Sequence, residues 1–184
     1  MKIIMGLGNP GKEFEQTRHN AGFTLVDFLA QKFNLDLKFD KKFQAKYVKT
    51  EIIQNGVAED IYLIKSMGFM NNSGVTLRAF LDYFFDNAFE EDEGNHLIVA
   101  HDDLDLALGQ FRLQKGKGPK IHNGLNSIYQ HLGYKNFWHL RLGVDSRNGD
   151  RSINPGDYVL MPMNKEERAL LQKAIIEVTN SLFT

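Results

Sequence analysis

The sequence predicts an α/β protein, a three-layer α/β/α domain around a mixed, mostly parallel twisted sheet. Three observations predict it. Short apolar runs near residues 1–7, 96–100 and 138–144 have the length and the Val, Ile and Leu content of buried strands. Between them lie segments with apolar residues at helical spacing, the alternation that builds parallel sheets covered by helices. One hairpin signal, Gln54-Asn55-Gly56 between two runs rich in Val, Ile and Tyr, interrupts that alternation and adds antiparallel pairing.

Taken in order, residues 1–7 are the first strand, and residues 20–33 form a helix with Leu25, Val26, Phe28, Leu29 and Phe33 on its apolar face. Residues 45–53 and 57–65 are the hairpin arms, the second returning the chain at Lys65-Ser66-Met67-Gly68 to the end of the first strand. Residues 73–85 form a helix with Leu77, Phe80, Leu81 and Phe84 on one side and Asn72 or Ser73 as N-cap. A polar, acidic connection from Asn87 to Asn95 leads to a short strand, His96 to Ala100, that delivers His101-Asp102-Asp103 at its end. Gly109 to Gln114 alternates as a further strand, followed by a basic loop from Lys115 to Lys120. Residues 123–133 read as a helix with Leu125, Ile128, Tyr129 and Leu132 inward, closed by Gly133. Trp138 to Val144 is a strand, and Asp145 to Gly156, with Ser, Arg, Asn, Gly and a single Pro, reads as a mobile loop. A last helix from about Lys165 buries Leu170, Leu171, Ala174, Ile175, Val178 and Leu182. With no repeat, linker or second unit visible, residues 1–184 are expected to form one domain.

Composition narrows the function classes. The chain has 42% hydrophobic and 24% charged residues, ordinary for a globular protein, and no apolar run of the roughly 18 residues that a membrane span needs. The start, Met1-Lys2-Ile3-Ile4, enters a strand rather than a signal sequence, so a cytoplasmic protein is expected. The absence of cysteine excludes disulfides, a thiol nucleophile and thiolate-bound zinc. A formal net charge of -1 argues globally against a nucleic-acid binder, but the distribution matters more. Arg112, Lys115, Lys117 and Lys120 crowd one segment and Glu90, Glu91, Asp92 and Glu93 another, so a basic patch can exist on a near-neutral protein. No pair of the six histidines forms an H-E-x-x-H helix, and no G-x-S-x-G elbow is present.

The stretch around which the chemistry is organised is residues 3–20, a strand entering the bend Gly6-Leu7-Gly8-Asn9-Pro10-Gly11 and then a polar loop with His19. The glycines let the backbone turn or let a ligand approach, Pro10 fixes one φ, and Asn9 stands at a strand end, where open α/β sheets bind ligands. The bend also matches G-x-G-x-x-G. A dinucleotide fold would start its helix within the glycines and carry an acidic residue at the end of the second strand about 20 residues later, and neither holds. His19 alone is either a helix cap or a general base, since its intrinsic pKa lies near neutrality. Asp102, at the end of an apolar strand, is either a turn residue or the carboxylate that orients that base. Asp103 and Asp105 read as a turn and a solvated face. Asn9, Asn71 and Asn123 each offer an amide donor and acceptor, and each is otherwise a turn or cap residue.

Four ordered motifs resolve these alternatives. Gly6-Leu7-Gly8-Asn9-Pro10-Gly11 with Phe14 and Thr17-Arg18-His19-Asn20, Phe69-Met70-Asn71-x-Ser73-Gly74, His101-Asp102-Asp103-Leu104-Asp105-Leu106, and His122-Asn123-Gly124-Leu125 together resemble the bacterial peptidyl-tRNA hydrolase family over nearly the whole chain. The resemblance implies an esterase needing neither metal nor cofactor that cleaves the bond between a peptide and the 3′-terminal ribose of tRNA. It implies His19 as base and Asp102 as its partner. It also implies that Asn9 helps to bind the 3′ end and water, that Asn71 orients the attacking water or stabilises the oxyanion, and that Asn123 holds a water and the peptide backbone. Phe14 and Phe69 would contact substrate, Met70 is either the apolar contact beside Asn71 or core packing, and His122 either donates within the cleft or positions the next helix, the second role being preferred. Arg112 and Arg141 match basic positions of the family that face the acceptor stem, and with Lys115, Lys117 and Lys120 they would neutralise phosphates there and at the 3′ CCA end without reading sequence. A monomer with no obligate protein partner and no membrane contact is expected. The chain departs from the family at Phe14, where tyrosine is usual, and at Pro119-Lys120-Ile121, where glycines are usual, so this loop is expected to be stiffer and bulkier. It also lacks the Gly-Arg-Pro-like turn after Val144. A nucleotide-cofactor enzyme and a catalytically silent RNA-binding module are the competing classes.

Overall fold

The computed structural model describes residues 1–54, 56–85 and 95–183. Asn55 and the acidic residues Glu90 to Glu93 lie outside them. Seven strands, β1 (Lys2–Gly6), β2 (Lys38–Asp40), β3 (Ala45–Gln54), β4 (Val57–Ser66), β5 (Leu97–Ala107), β6 (Phe111–Lys115) and β7 (Trp138–Asp145), form one sheet in the order β2-β3-β4-β1-β5-β7-β6. Parallel pairing is confined to its centre: β1 lies between β4 and β5, and β5 pairs with β7. The hairpin β3–β4, the short β2 and the edge strand β6 pair antiparallel.

The two faces follow from the two-residue repeat of the strands. Ile3 and Met5 of β1 point to one side, where Leu77, Phe80 and Leu81 of α2 (Ser73–Phe85) pack with Leu125, Ile128 and Leu132 of α3 (Asn123–Leu132). Ile4 points to the other, where Leu25, Val26 and Leu29 of α1 (Ala21–Lys32) pack with Leu171, Ile175 and Val178 of α5 (Lys165–Phe183). Helix, sheet and helix layers result, the architecture expected from the alternation. No helix among the described residues is long and apolar enough to cross a membrane.

The glycine bend does not open a helix. After β1 the chain runs through two 3-10 turns, Lys12–Phe14 and Arg18–Asn20, and α1 starts only at Ala21. Instead, α1 crosses β1 at contact distance: a Cβ on Gly22 would lie 2.2 Å from the Ala100 carbonyl oxygen, and one on Gly6 2.3 Å from the Gly22 carbonyl oxygen. This close crossing holds the turn that carries His19 against the ends of β1 and β5.

Several expectations need correction. The strand expected to stop at Ala100 runs on to Ala107, its ladder to β7 breaking register between Asp103 and Ala107. Two elements went unforeseen, β2 and α4 (Pro155–Leu160), the latter starting at the end of the segment read as a loop and capped by Asn154, whose side chain accepts the Gly156 N–H. Leu170 is exposed, and Thr179 takes part in the buried face of α5.

Candidate active site

The His19 turn is fastened from both sides. On the sheet side, the Asn20 side chain bridges to the bend, accepting the Asn9 N–H at 2.8 Å and donating to the Asn9 carbonyl at 2.9 Å. On the other side Arg18, buried, donates to Glu167 at 2.5 Å and to the Met161 carbonyl at 3.1 Å, its guanidinium 4.1 Å from the centre of the Tyr158 ring. Thr17 closes the turn through Phe14, its hydroxyl donating to that carbonyl at 2.8 Å. His19 therefore sits on a short segment that cannot swing independently of either end of the chain.

Asp102 reaches it from β5. His19 Nδ1 and Asp102 Oδ1 are 2.8 Å apart, and His122 Nε2 approaches the same oxygen at 3.0 Å. The tautomers follow from the partners. A carboxylate accepts, so His19 carries its proton on Nδ1 and leaves the Nε2 lone pair free. His122 caps α3 by accepting the Leu125 N–H on Nδ1 at 3.4 Å, so its proton is on Nε2. Both roles considered for His122 are thus present: it starts the helix and it donates to Asp102. Burial favours the neutral carboxylic acid, yet the two imidazoles outweigh it and hold Asp102 well below the usual carboxylate range. For His19 burial opposes the charge, and the Asp102 carboxylate overcomes it, so its pKa lies above 6.5.

Behind this pair the cluster continues into the core. The His101 ring packs edge-on at 5.3 Å from His122 and 5.7 Å from His139, and both His101 and His139 are fully buried. Burial, reinforced by neighbouring imidazoles and by Arg141 beside His139, keeps them neutral: His101 falls well below its ordinary value and His139 to about 4.

Of the three asparagines, Asn9 is set most firmly. Its Oδ1 accepts the Met70 N–H at 2.8 Å, which turns its amide NH2 group toward the cleft. Asn123, at the start of α3, is exposed and lines the same cleft, as does buried Met70. Asn71, one residue further along the 3-10 turn Met70–Asn72, is exposed and is not among the lining residues. Neither Phe14, half-buried, nor Phe69, exposed, lines it.

The expected basic set divides. Arg112, Lys117 and Lys120 are exposed, and Lys120 also lines the cleft. Lys115 is half-buried and donates to the Asn95 side chain. Arg141 does not face solvent: it lies opposite Arg112 in the β6–β7 ladder but is buried, its Nε donating to Asp103 Oδ2 at 2.7 Å and its Nη1 to Gln114 at 2.9 Å. Its expected role as a phosphate contact is therefore corrected, and so is the reading of Asp103 as a turn residue, since it lies buried within β5. The two neutralise each other inside the fold.

The cleft has a volume of about 660 Å³. Asn9, His19, Asp102, His122 and Asn123 supply its polar wall, and Leu104, Ile121, Val159 and Leu160 an apolar one. The contribution of α4 and of Arg147 and Arg151 was missed, because Asp145 to Gly156 reads as a mobile loop. The Asx cap and Pro at the first helical position were the signals available. His19, Asp102 and His122 are also the only group of three potential metal ligands among the described residues. The chemistry does not fit a cation there, because the Leu125 N–H already occupies the lone pair of His122 Nδ1 and keeps a proton on the nitrogen that would have to ligate.

Residues 3–183 match the family model described as peptidyl-tRNA hydrolase. A peptidyl-tRNA hydrolase of Shouchella clausii is 42% identical over 176 residues, 95% of this chain and 87% of the relative. One of Neisseria meningitidis is 37% identical over 175 residues, 95% of this chain and 85% of the relative. Among solved structures, peptidyl-tRNA hydrolase from Acinetobacter baumannii superposes with a TM-score of 0.83 at 34% identity, over 100% of this chain and 88% of that one.

Proposed function

The chain belongs to the peptidyl-tRNA hydrolase family, esterases that act on peptidyl-tRNA, and from that premise we propose that His19 is the general base of its reaction and Asp102 the group that orients it. The observation that carries this is the 2.8 Å contact between His19 Nδ1 and Asp102 Oδ1. With the ring held in that tautomer, Nε2 takes a proton from water as the water attacks the ester carbonyl. The carbonyl oxygen becomes an oxyanion, and the Asn9 amide NH2, aimed by the Met70 N–H, donates to it or to the attacking water. Collapse expels the 3′ oxygen of the ribose, which takes the proton back from His19. The products are free tRNA and a peptide acid. Asp102 stays ionised throughout and stabilises the imidazolium.

Asn123 and Met70 line the cleft where the peptide and its terminal ribose would lie. Asn71, together with Phe69 and Phe14, would act outside that lining, on the terminal nucleotides, with the exposed Phe69 ring as a stacking face. Arg112, Lys117 and Lys120 are the exposed cations available to acceptor-stem phosphates. The reading is of one cytoplasmic, monomeric catalytic domain over residues 1–184 that works without metal or cofactor. The test is release of labelled N-acetyl-aminoacyl groups from tRNA in the presence of chelator, with the free-amine ester as control. Release from the blocked ester alone is expected. Inactivity until a divalent metal is restored, with the tRNA folded throughout, would overturn it.

A further inference from the structure

We infer that the cleft beside His19 contains a pocket for the side chain of the esterified amino acid, and that this pocket favours an apolar residue at that end of the peptide. The inference rests on the hydrolase reading above. Ile121 is 82% exposed and Leu160 44% exposed, and these two large aliphatic side chains come from separate segments of the chain yet line one cleft. Leu104 and the buried Val159 continue the same wall, with Pro119 and Pro155 beside them. Polar and charged groups, Lys120, Arg147 and Arg151 among them, line the rest of the cleft, so the aliphatic groups form one apolar face of it, the arrangement a site for a partly apolar ligand presents.

The covalent structure of the substrate selects which group enters. The ester carbon must come within reach of water held by His19 Nε2, and the α-carbon is bonded directly to it. The side chain on that α-carbon therefore lies in the same cleft, whatever course the rest of the peptide takes. Ile121 stands in the loop segment Pro119-Lys120-Ile121, next to His122, which donates to Asp102. The bulk of that segment thus adds contact area to the pocket beside the catalytic carboxylate.

A single tRNA acylated with N-acetyl-leucine, N-acetyl-glycine or N-acetyl-aspartate tests this, each rate being divided by the spontaneous hydrolysis of the same ester. For the unsubstituted protein kcat/KM for leucine should exceed that for glycine by about tenfold or more, the discrimination expected from several buried methyl and methylene groups, and aspartate should fall well short of leucine although Lys120, Arg147 and Arg151 also line the cleft. Ile121→Gly and Leu160→Ala, both at exposed positions where loss of the fold is not expected, should each reduce the leucine-to-glycine ratio severalfold, and Ile121→Asp should reduce it further. A ratio near one in the unsubstituted protein, or a ratio unmoved by these substitutions, overturns the pocket. Failure to cleave any of the three esters overturns the hydrolase reading and the pocket with it.

Discussion

His19 and His122 donate to the same oxygen of Asp102, at 2.8 and 3.0 Å, with their ring centres 5.0 Å apart. Only His19 has a free lone pair directed away from this carboxylate, since the other nitrogen of His122 accepts from the backbone of α3. One imidazole is therefore available as a base, and its neighbour fixes the anion.

His19→Ala should abolish peptide release while leaving tRNA affinity nearly intact, and Asp102→Asn should slow turnover by tenfold or more, as a base loses its orienting anion. Single-turnover release and a filter-binding titration separate the two quantities. Wild-type-like turnover of His19→Ala would remove the base assignment.

The pH profile has a determined sign. The base must be neutral, and Asp102 raises the His19 pKa, so kcat/KM should climb through a midpoint above 6.5. Asp102→Asn removes the raising influence and leaves burial, so its midpoint should move down. A midpoint that does not respond would place the titrating group elsewhere.

Stability should fall on acidification between about pH 6.5 and 4. His101 and His139 have folded pKa values below those of the unfolded chain, His139 at about 4, so the unfolded state binds protons first as pH drops through 6.5. His19 works in the opposite direction: its stabilisation is complete below 6.5 and is lost as pH rises through its raised folded value. Within the window from 6.5 to 4 His19 therefore adds no slope, and the melting temperature should decrease. His139→Gln should flatten the decline; an unchanged slope would count against it.

Arg112→Ala should weaken tRNA binding and reduce the salt dependence by about one charge, whereas Arg141→Ala should leave that dependence unchanged and cost about 3–5 kcal/mol of stability by stranding Asp103 in the interior. Binding across an ionic-strength series and thermal unfolding of both variants distinguish the roles. The opposite assignment of effects would mean that Arg141 reaches the nucleic acid after all.

Asn9→Asp keeps an acceptor for the Met70 N–H and replaces the NH2 donor by a second carboxylate oxygen. Turnover should fall by about 100-fold or more if that donor faces the oxyanion. A loss confined to KM would restrict Asn9 to binding.

The layers and the His19–Asp102 pair were legible in the sequence because long apolar periods and strand ends are local signals, and because four motifs reinforced one another. What was missed depended on distant partners. His101-Asp102-Asp103 ended an apolar run and looked like the end of a strand, but β7 continues the ladder alongside it and the Arg141–Asp103 pair permits charge inside. Arg141 resembled a surface cation because nothing in its neighbourhood names Asp103, 38 residues away. Residues 38–40 carry too little alternation to mark β2, and the proline and glycine opening α4 hid a helix that walls the cleft.

Arg18, one residue before the base, is fastened to Met161 and Glu167, so the turn is held in its working position by segments 143 and 149 residues further along. Fraying of α5 at Glu167 would thus slacken the segment that holds the imidazole, a long-range coupling between a remote helix and the reacting nitrogen.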